Sequence, residues 1–176
     1  MNPKIISYAI DAHAKVNHLY DGFPYSVHLS MVSMYAQKYI NELPISVQSD
    51  VLDACWLHDT IEDCRLTYND IVNISNKNVA ELVYAVTNDK GKNRNMRAGL
   101  TYYKGIKLVS FATFVKLCDR LANIKYSKET KSKMFSVYKK EHDKFLAYLF
   151  SDGGIPIEYI SLIKELDSHI NSVSLD

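Results

Sequence analysis

Helix-breaking residues are scarce in this chain: six glycines and four prolines punctuate 176 residues, and they fall mainly between segments of helical periodicity. That leaves little room for the many short strands and turns of a sandwich or barrel. Helical patterns run over about 5–16, 24–40, 44–58, 67–72, 78–86, 96–105, 110–125, 131–150 and 156–170. Pro24 and Pro44 suit first-turn positions, because their fixed φ is already helical. Thr67 and Asp70 have the spacing of a capping box. Asp21-Gly22-Phe23-Pro24 reads as a turn and Ser151-Asp152-Gly153-Gly154 as a break. No segment shows convincing strand alternation. The expectation is an all-α, single-domain bundle of about eight to nine helices over 1–176.

Net charge is +1, so nothing global argues for nucleic acid or an anionic membrane as a partner. No apolar run approaches the ~18 residues of a membrane span. Met1-Asn2-Pro3-Lys4 leads into a mixed pattern rather than the apolar core of a signal peptide. Cys55, Cys64 and Cys118 are odd in number and lack CxxC spacing, which suits reduced thiols better than a disulfide framework. The expected location is the cytoplasm. Oligomeric state is not legible.

The chemistry concentrates where charge interrupts apolar helices. Trp56-Leu57-His58-Asp59-Thr60-Ile61-Glu62-Asp63 places an imidazole and three carboxylates directly after an apolar run. Buried charge of this density needs compensation, and a bound cation is the commonest form. His with Asp is a standard ligand pair for Zn, Mn or Fe. If the helix persists through Glu62, then His58, Asp59 and Glu62 share a face with Cys55, and Asp63 lies one turn beyond Asp59. An acidic helix end is the plain alternative, but it opposes the helix dipole.

Two further intrusions point the same way. His28 lies one turn from Met31, Val32 and Tyr35, on the core side of its helix, where a lone imidazole is ordinarily a hydrogen-bonded core residue. In the 110–125 segment, Phe111, Phe114, Val115, Cys118, Leu121 and Ala122 form an apolar stripe. Lys116, Asp119, Arg120, Asn123 and Ser127 form a narrow polar line of differing chemistry, as a cleft wall does; an ordinary amphipathic helix is the alternative. Asp119 completes a candidate set with His28, His58 and Asp59. Between them, Asp89-Lys90-Gly91-Lys92-Asn93-Arg94-Asn95-Met96-Arg97 carries four basic residues against one acidic. Lys92 and Arg97 there suit a phosphate ligand, although a charge run is more often a solvated loop.

Pro24-Tyr25-Ser26-Val27-His28, His58-Asp59-Thr60-Ile61-Glu62-Asp63 and Lys116-Leu117-Cys118-Asp119-Arg120-Leu121-Ala122-Asn123 resemble the PYxxH, HDxxED and KLADRxxN blocks of alarmone hydrolases within the HD-domain metal-dependent phosphohydrolases. These comprise the RelA/SpoT hydrolase domain and the stand-alone small alarmone hydrolases of the MESH type. Val86-Thr87-Asn88-Asp89-Lys90 is similar to a further block. The similarity spans about 5–127, with the helices of 131–170 expected to pack on it. The resemblance implies an HD-type helical bundle and one Mn²⁺, or another transition metal, held by His28, His58, Asp59 and Asp119. It implies loss of the 3′-pyrophosphate from (p)ppGpp, the alarmone of the stringent response. Glu62 and Asp63 would orient or deprotonate the attacking water. Asn123, with Arg120, Lys116, Tyr25, Lys92 and Arg97, would contact the nucleotide. The family's Arg-Lys pair before PYxxH is absent: Asn17-His18-Leu19-Tyr20-Asp21-Gly22-Phe23 stands there, with His18 and Tyr20 as candidate stacking platforms. An HD phosphatase or phosphodiesterase for another nucleotide (a nucleoside monophosphate, NADPH or a cyclic nucleotide) shares the same metal residues. A non-catalytic nucleotide-binding scaffold is a third reading.

Overall fold

The architecture follows from one helix that is buried on most of its sides, polar residues included. In a computed structural model, which describes residues 2–88, 91–150 and 153–172, helix α9 (Ala112–Glu129) buries Phe114, Val115, Leu117, Cys118, Leu121, Ala122 and Ile124 completely. Such a helix must be covered on several sides. It is packed by α2 (Ser26–Tyr39), α3 (Ile45–Leu57), α6 (Lys77–Val86), α8 (Leu100–Leu108), α10 (Lys133–Phe150) and α11 (Ile160–Asn171). Around them lie α1 (Pro3–Lys15), α5 (Tyr68–Ile74) and the single-turn helices α4 (Thr60–Cys64) and α7 (Arg94–Arg97). Among the described residues this makes nine helices of seven residues or more, and the fold is all-α. No helix among them is long and apolar enough to cross a membrane.

Local signals set most boundaries. Asn2 caps α1, its side chain accepting from the Lys4 amide at 3.1 Å. Thr67 and Asp70 form the expected capping box at the start of α5. Four features depart from the sequence expectation. First, Leu19–Tyr20 (β1) and Phe23–Pro24 (β2) pair as a minimal antiparallel ribbon, so Pro24 precedes α2 rather than opening it. Asp21 and Gly22, both at positive φ, supply a hairpin turn whose twist matches the two strands. Two residues per strand are too few to show alternation. Second, the pattern over 96–105 divides at Ala98-Gly99, between α7 and α8, where Gly99 is extended. Third, the last helix is entered through a 3₁₀ turn, Ile157–Tyr159.

The fourth departure shapes the site. The helix does not persist through Glu62: α3 stops at Leu57 and α4 starts at Thr60, with His58 and Asp59 at the joint. No glycine or proline marks this break. Side chains take up the carbonyls that end α3: the His58 ring bonds the Cys55 carbonyl at 2.9 Å, and the Thr60 hydroxyl bonds that of Leu57 at 2.6 Å. Glu62 and Asp63 therefore occupy the first turn of a new helix, not the acidic end of an old one. Cys55, Cys64 and Cys118 are free and buried, as the odd count implied.

Candidate metal centre and active-site cavity

Three elements meet at the joint between α3 and α4. His28, in the first turns of α2, is 1% exposed; His58 is 2% exposed; Asp119 comes from the middle of α9. One ligand atom from each lies within 4.8 Å of the others. Donors ~2.1 Å from a shared ion sit at most ~4.2 Å apart, so the cluster needs only a small contraction to hold one. Asp59 stands beside this trio: its Oδ2 is 2.9 Å from His58 Nε2 and 3.7 Å from His28 Nε2. Asp119 Oδ1 is 3.3 Å from His28 Nε2 and 3.9 Å from His58 Nε2.

The test of fit is the hydrogen bonding of His58. Its Nδ1 is engaged with the Cys55 carbonyl, which sets the N–H there and leaves the Nε2 lone pair free. That Nε2 is buried and has no hydrogen-bond partner, although two carboxylates face it. An orphaned imidazole nitrogen with anionic neighbours and a second imidazole is what a divalent metal site presents. The local field agrees. Burial pushes the His58 pKa down, but Asp59 and Asp119 outweigh it and raise it to about 9. Burial pushes Asp119 up, yet Lys116, His28 and His58 hold it well below the usual carboxylate range. Asp59 is likewise held low by His58 against its burial. The pocket calls for positive charge.

Each candidate ligand is braced from behind. Lys116 Nζ donates to Asp119 Oδ2 at 2.8 Å, and Asn123 Nδ2 donates to Asp119 Oδ1 at 2.6 Å. Tyr25, just ahead of α2, donates its hydroxyl to Asp59 Oδ2 at 2.5 Å. Tyr20 of the ribbon stacks on the His28 ring at 4.9 Å and donates to Asn123 Oδ1 at 3.0 Å. His18 stacks on Tyr25 with ring centroids 3.8 Å apart. The two residues read as stacking platforms for a base thus have faces already engaged with the protein.

A cavity of about 230 Å³ opens over the cluster. Tyr25, Glu62, Asp63, Arg97, Lys116, Arg120 and Asn123 all line it, together with His28, Asp59 and Asp119. Lys92 is exposed and is not among the lining residues. Lys90 and the side chain of Arg94, from the same basic stretch, lie outside the described residues, as does Asp89. Arg120 is 6% exposed, with its guanidinium between the Tyr138 and Phe145 rings at 4.5 and 4.8 Å. It also donates to the Tyr138 carbonyl at 3.0 Å, which ties α9 to α10.

Glu62 and Asp63 are adjacent and differently held. Glu62 accepts from both the backbone amide (3.2 Å) and side-chain amide (3.1 Å) of Asn88, just after α6. Asp63 has His18 Nδ1 at 3.7 Å. Burial, then Asp59 and Glu62, push its carboxyl up to about 7. Three contributors, His13, Tyr138 and Phe145, escape the sequence reading, and Asn88 appears there only within a block, without its role. His13 was not singled out because one buried histidine in an amphipathic helix carries no signal. The clamp by Asn88 and the contacts of Tyr138 and Phe145 bridge chain segments with no local pattern linking them.

No family model matches this chain. Guanosine-3′,5′-bis(diphosphate) 3′-pyrophosphohydrolase MESH1 of Drosophila melanogaster is 33% identical over 75 residues, 43% of this chain and 42% of the relative. The protein of the same name from Danio rerio is 32% identical over 76 residues, with the same two shares. The match spans about two fifths of the length of these curated relatives. The chain thus resembles HD-domain, MESH-type alarmone hydrolases, and the resemblance reached through three short motifs is joined by sequence similarity over about two fifths of the chain.

Proposed function

We propose that this protein is a metal-dependent hydrolase that removes the 3′-pyrophosphate of a (p)ppGpp-like nucleotide. The observation that carries the reading is the buried, unpartnered His58 Nε2, facing Asp59 and Asp119 beside His28. The activity in the names of the two relatives points to the substrate class.

His28, His58, Asp59 and Asp119 would hold one divalent ion, Mn²⁺ by the family resemblance. Such an ion supplies Lewis acidity, making water more acidic and offsetting phosphoryl charge. The remaining roles belong to the chain. Glu62, fixed by two bonds from Asn88, orients the attacking water on the cavity floor. Asp63 takes the proton, since a carboxyl raised to about 7 is matched to neutral pH as an acid–base group. Arg97 and Lys116 face the same cavity and meet the phosphate oxygens. The proton lost by water is returned to the ribose 3′ oxygen as the P–O bond breaks, so that pyrophosphate and a nucleoside 5′-polyphosphate leave.

Product analysis with Mn²⁺ and a nucleotide panel tests the reading. The expected result is pyrophosphate release from 3′-pyrophosphorylated nucleotides with little orthophosphate. With His18 and Tyr20 engaged in the protein and no Arg-Lys pair, ppGpp and ppApp should differ by less than about tenfold, ~1.4 kcal/mol. Orthophosphate from a monophosphate as sole product replaces this reading with an HD phosphatase.

A further inference from the structure

Behind the cavity wall, one ring from α1 and two from the segment between α1 and α2 form one stack. His13, from the last turn of α1, lies against Tyr25 at 4.4 Å and 20°. His18, from the loop after α1, lies against the same ring at 3.8 Å and 16°. The two imidazoles meet edge to edge, Nδ1 to Nδ1 at 2.9 Å. Two nitrogens at that distance hold one proton between them, one as donor and one as acceptor, so the contact fixes both rings in plane as well as in place. His13 is 1% exposed, and burial depresses its pKa to about 4, which keeps it neutral. At the far end of the stack, the Tyr25 hydroxyl donates to Asp59 Oδ2, the oxygen 2.9 Å from His58 Nε2.

We infer that Tyr25, backed by the His13–His18 pair, is a positioning residue that sets the orientation of Asp59 toward the metal; this rests on the metal-centre reading above. The inference explains three otherwise separate facts. Asp59 sits on a two-residue joint with helical hydrogen bonding interrupted, so its side chain needs an external constraint. The constraint reaches it from α1 and the α1–α2 loop, which carry none of the four candidate ligands. And an imidazole at position 18 keeps one flat face on Tyr25 while its edge bonds His13, a pairing that a flexible basic side chain cannot reproduce. Asp59 Oδ2 accepts from Tyr25 on one lone pair and turns the other toward the imidazoles, so the hydroxyl aims the oxygen that faces the metal position.

Tyr25 lines the cavity, where the sequence expectation makes it a nucleotide contact, but its hydroxyl is committed to Asp59. The two roles separate experimentally. Calorimetric titration of the metal-free full chain with Mn²⁺, without substrate, compares wild type, Tyr25→Phe and His18→Phe. Tyr25→Phe keeps the ring in the stack and removes the bond to Asp59; Mn²⁺ binding should weaken about tenfold or more, the usual scale for outer-sphere partners of metal ligands. Its metal-free melting temperature should stay close to that of wild type. His18→Phe keeps a flat ring but loses the bond to His13, and should weaken Mn²⁺ binding by a smaller factor in the same direction. Wild-type affinity in Tyr25→Phe overturns the inference while leaving the metal centre standing. A lowered melting temperature with unchanged affinity overturns it equally, as the stack is then only structural. If wild type itself binds no Mn²⁺, the metal-centre reading fails first and takes the inference with it.

Discussion

Two of the buried histidines that face aspartates, His142 and His58, make different use of them. His142 of α10 bonds Asp167 of α11 through Nε2 at 2.7 Å, a clean two-centre contact between helices, with the carboxylate half in solvent. His58 stands 2.9 Å from Asp59 yet forms no hydrogen bond with it, and a second imidazole and a second carboxylate crowd the same nitrogen. Both rings are almost fully buried, so burial does not distinguish them. Convergence does: among the described residues, only His28, His58 and Asp119 form a three-donor group. An open nitrogen alone does not mark a ligand, since His142 Nδ1 is unpartnered as well; what sets His58 apart is that its open nitrogen faces two carboxylates beside a second imidazole.

The largest test of this contrast is removal of a ligand. Asp119→Ala should take the metal content from about one ion per chain to near zero by elemental analysis. His142→Gln should leave it at the wild-type value. Metal retained in the first or lost in the second would erase the distinction. Next in size is the proposed catalytic pair: Glu62→Gln and Asp63→Asn should keep the metal and lower turnover by roughly 10²-fold or more. Unchanged rates would reduce both carboxylates to solvated residues at the rim. Smaller again, His142→Ala should cost about 1–3 kcal/mol in denaturant unfolding through the lost bond and packing, with activity per folded molecule preserved.

A further effect is on the pH dependence of stability without metal. Asp63 has a folded pKa raised from 3.8 to about 7, so the folded state holds the extra proton and stability falls as pH rises across that window. His58 is raised from 6.5 to about 9, so its contribution is complete below 6.5 and lost as pH climbs through 9. His13, lowered from 6.5 to about 4, works the other way and adds stability as pH rises between those values, so the net loss in metal-free protein should show between about pH 6.5 and 9, and Asp63→Asn should leave a rise below 6.5. Thermal melts across pH in a chelating buffer read it directly.

How much of this was legible in the sequence depends on chain separation. His58-Asp59-Thr60-Ile61-Glu62-Asp63 and the Lys116 to Asn123 line announce themselves because their groups are neighbours along the chain. The Thr67–Asp70 box does too, being a contact across three residues. The Glu62–Asn88 clamp spans 26 residues, Tyr25–Asp59 spans 34 and Tyr20–Asn123 spans 103, and nothing local encodes them. The joint at His58-Asp59 was hidden for a different reason: its helix end is made by side chains bonding back to carbonyls, not by glycine or proline.

The Arg120 sandwich carries one last consequence. All four candidate ligands lie before residue 120, and every motif that identifies the chain ends by residue 123. Yet the guanidinium next to Asp119 is sheathed by Tyr138 and Phe145 and bonded to a carbonyl of α10. A fragment cut after α9 would contain every recognisable letter of the site while stripping the apolar jacket from a cation buried in its wall. Recognition and self-sufficiency have different boundaries here: the stretch that names the chemistry is shorter than the stretch that can sustain it.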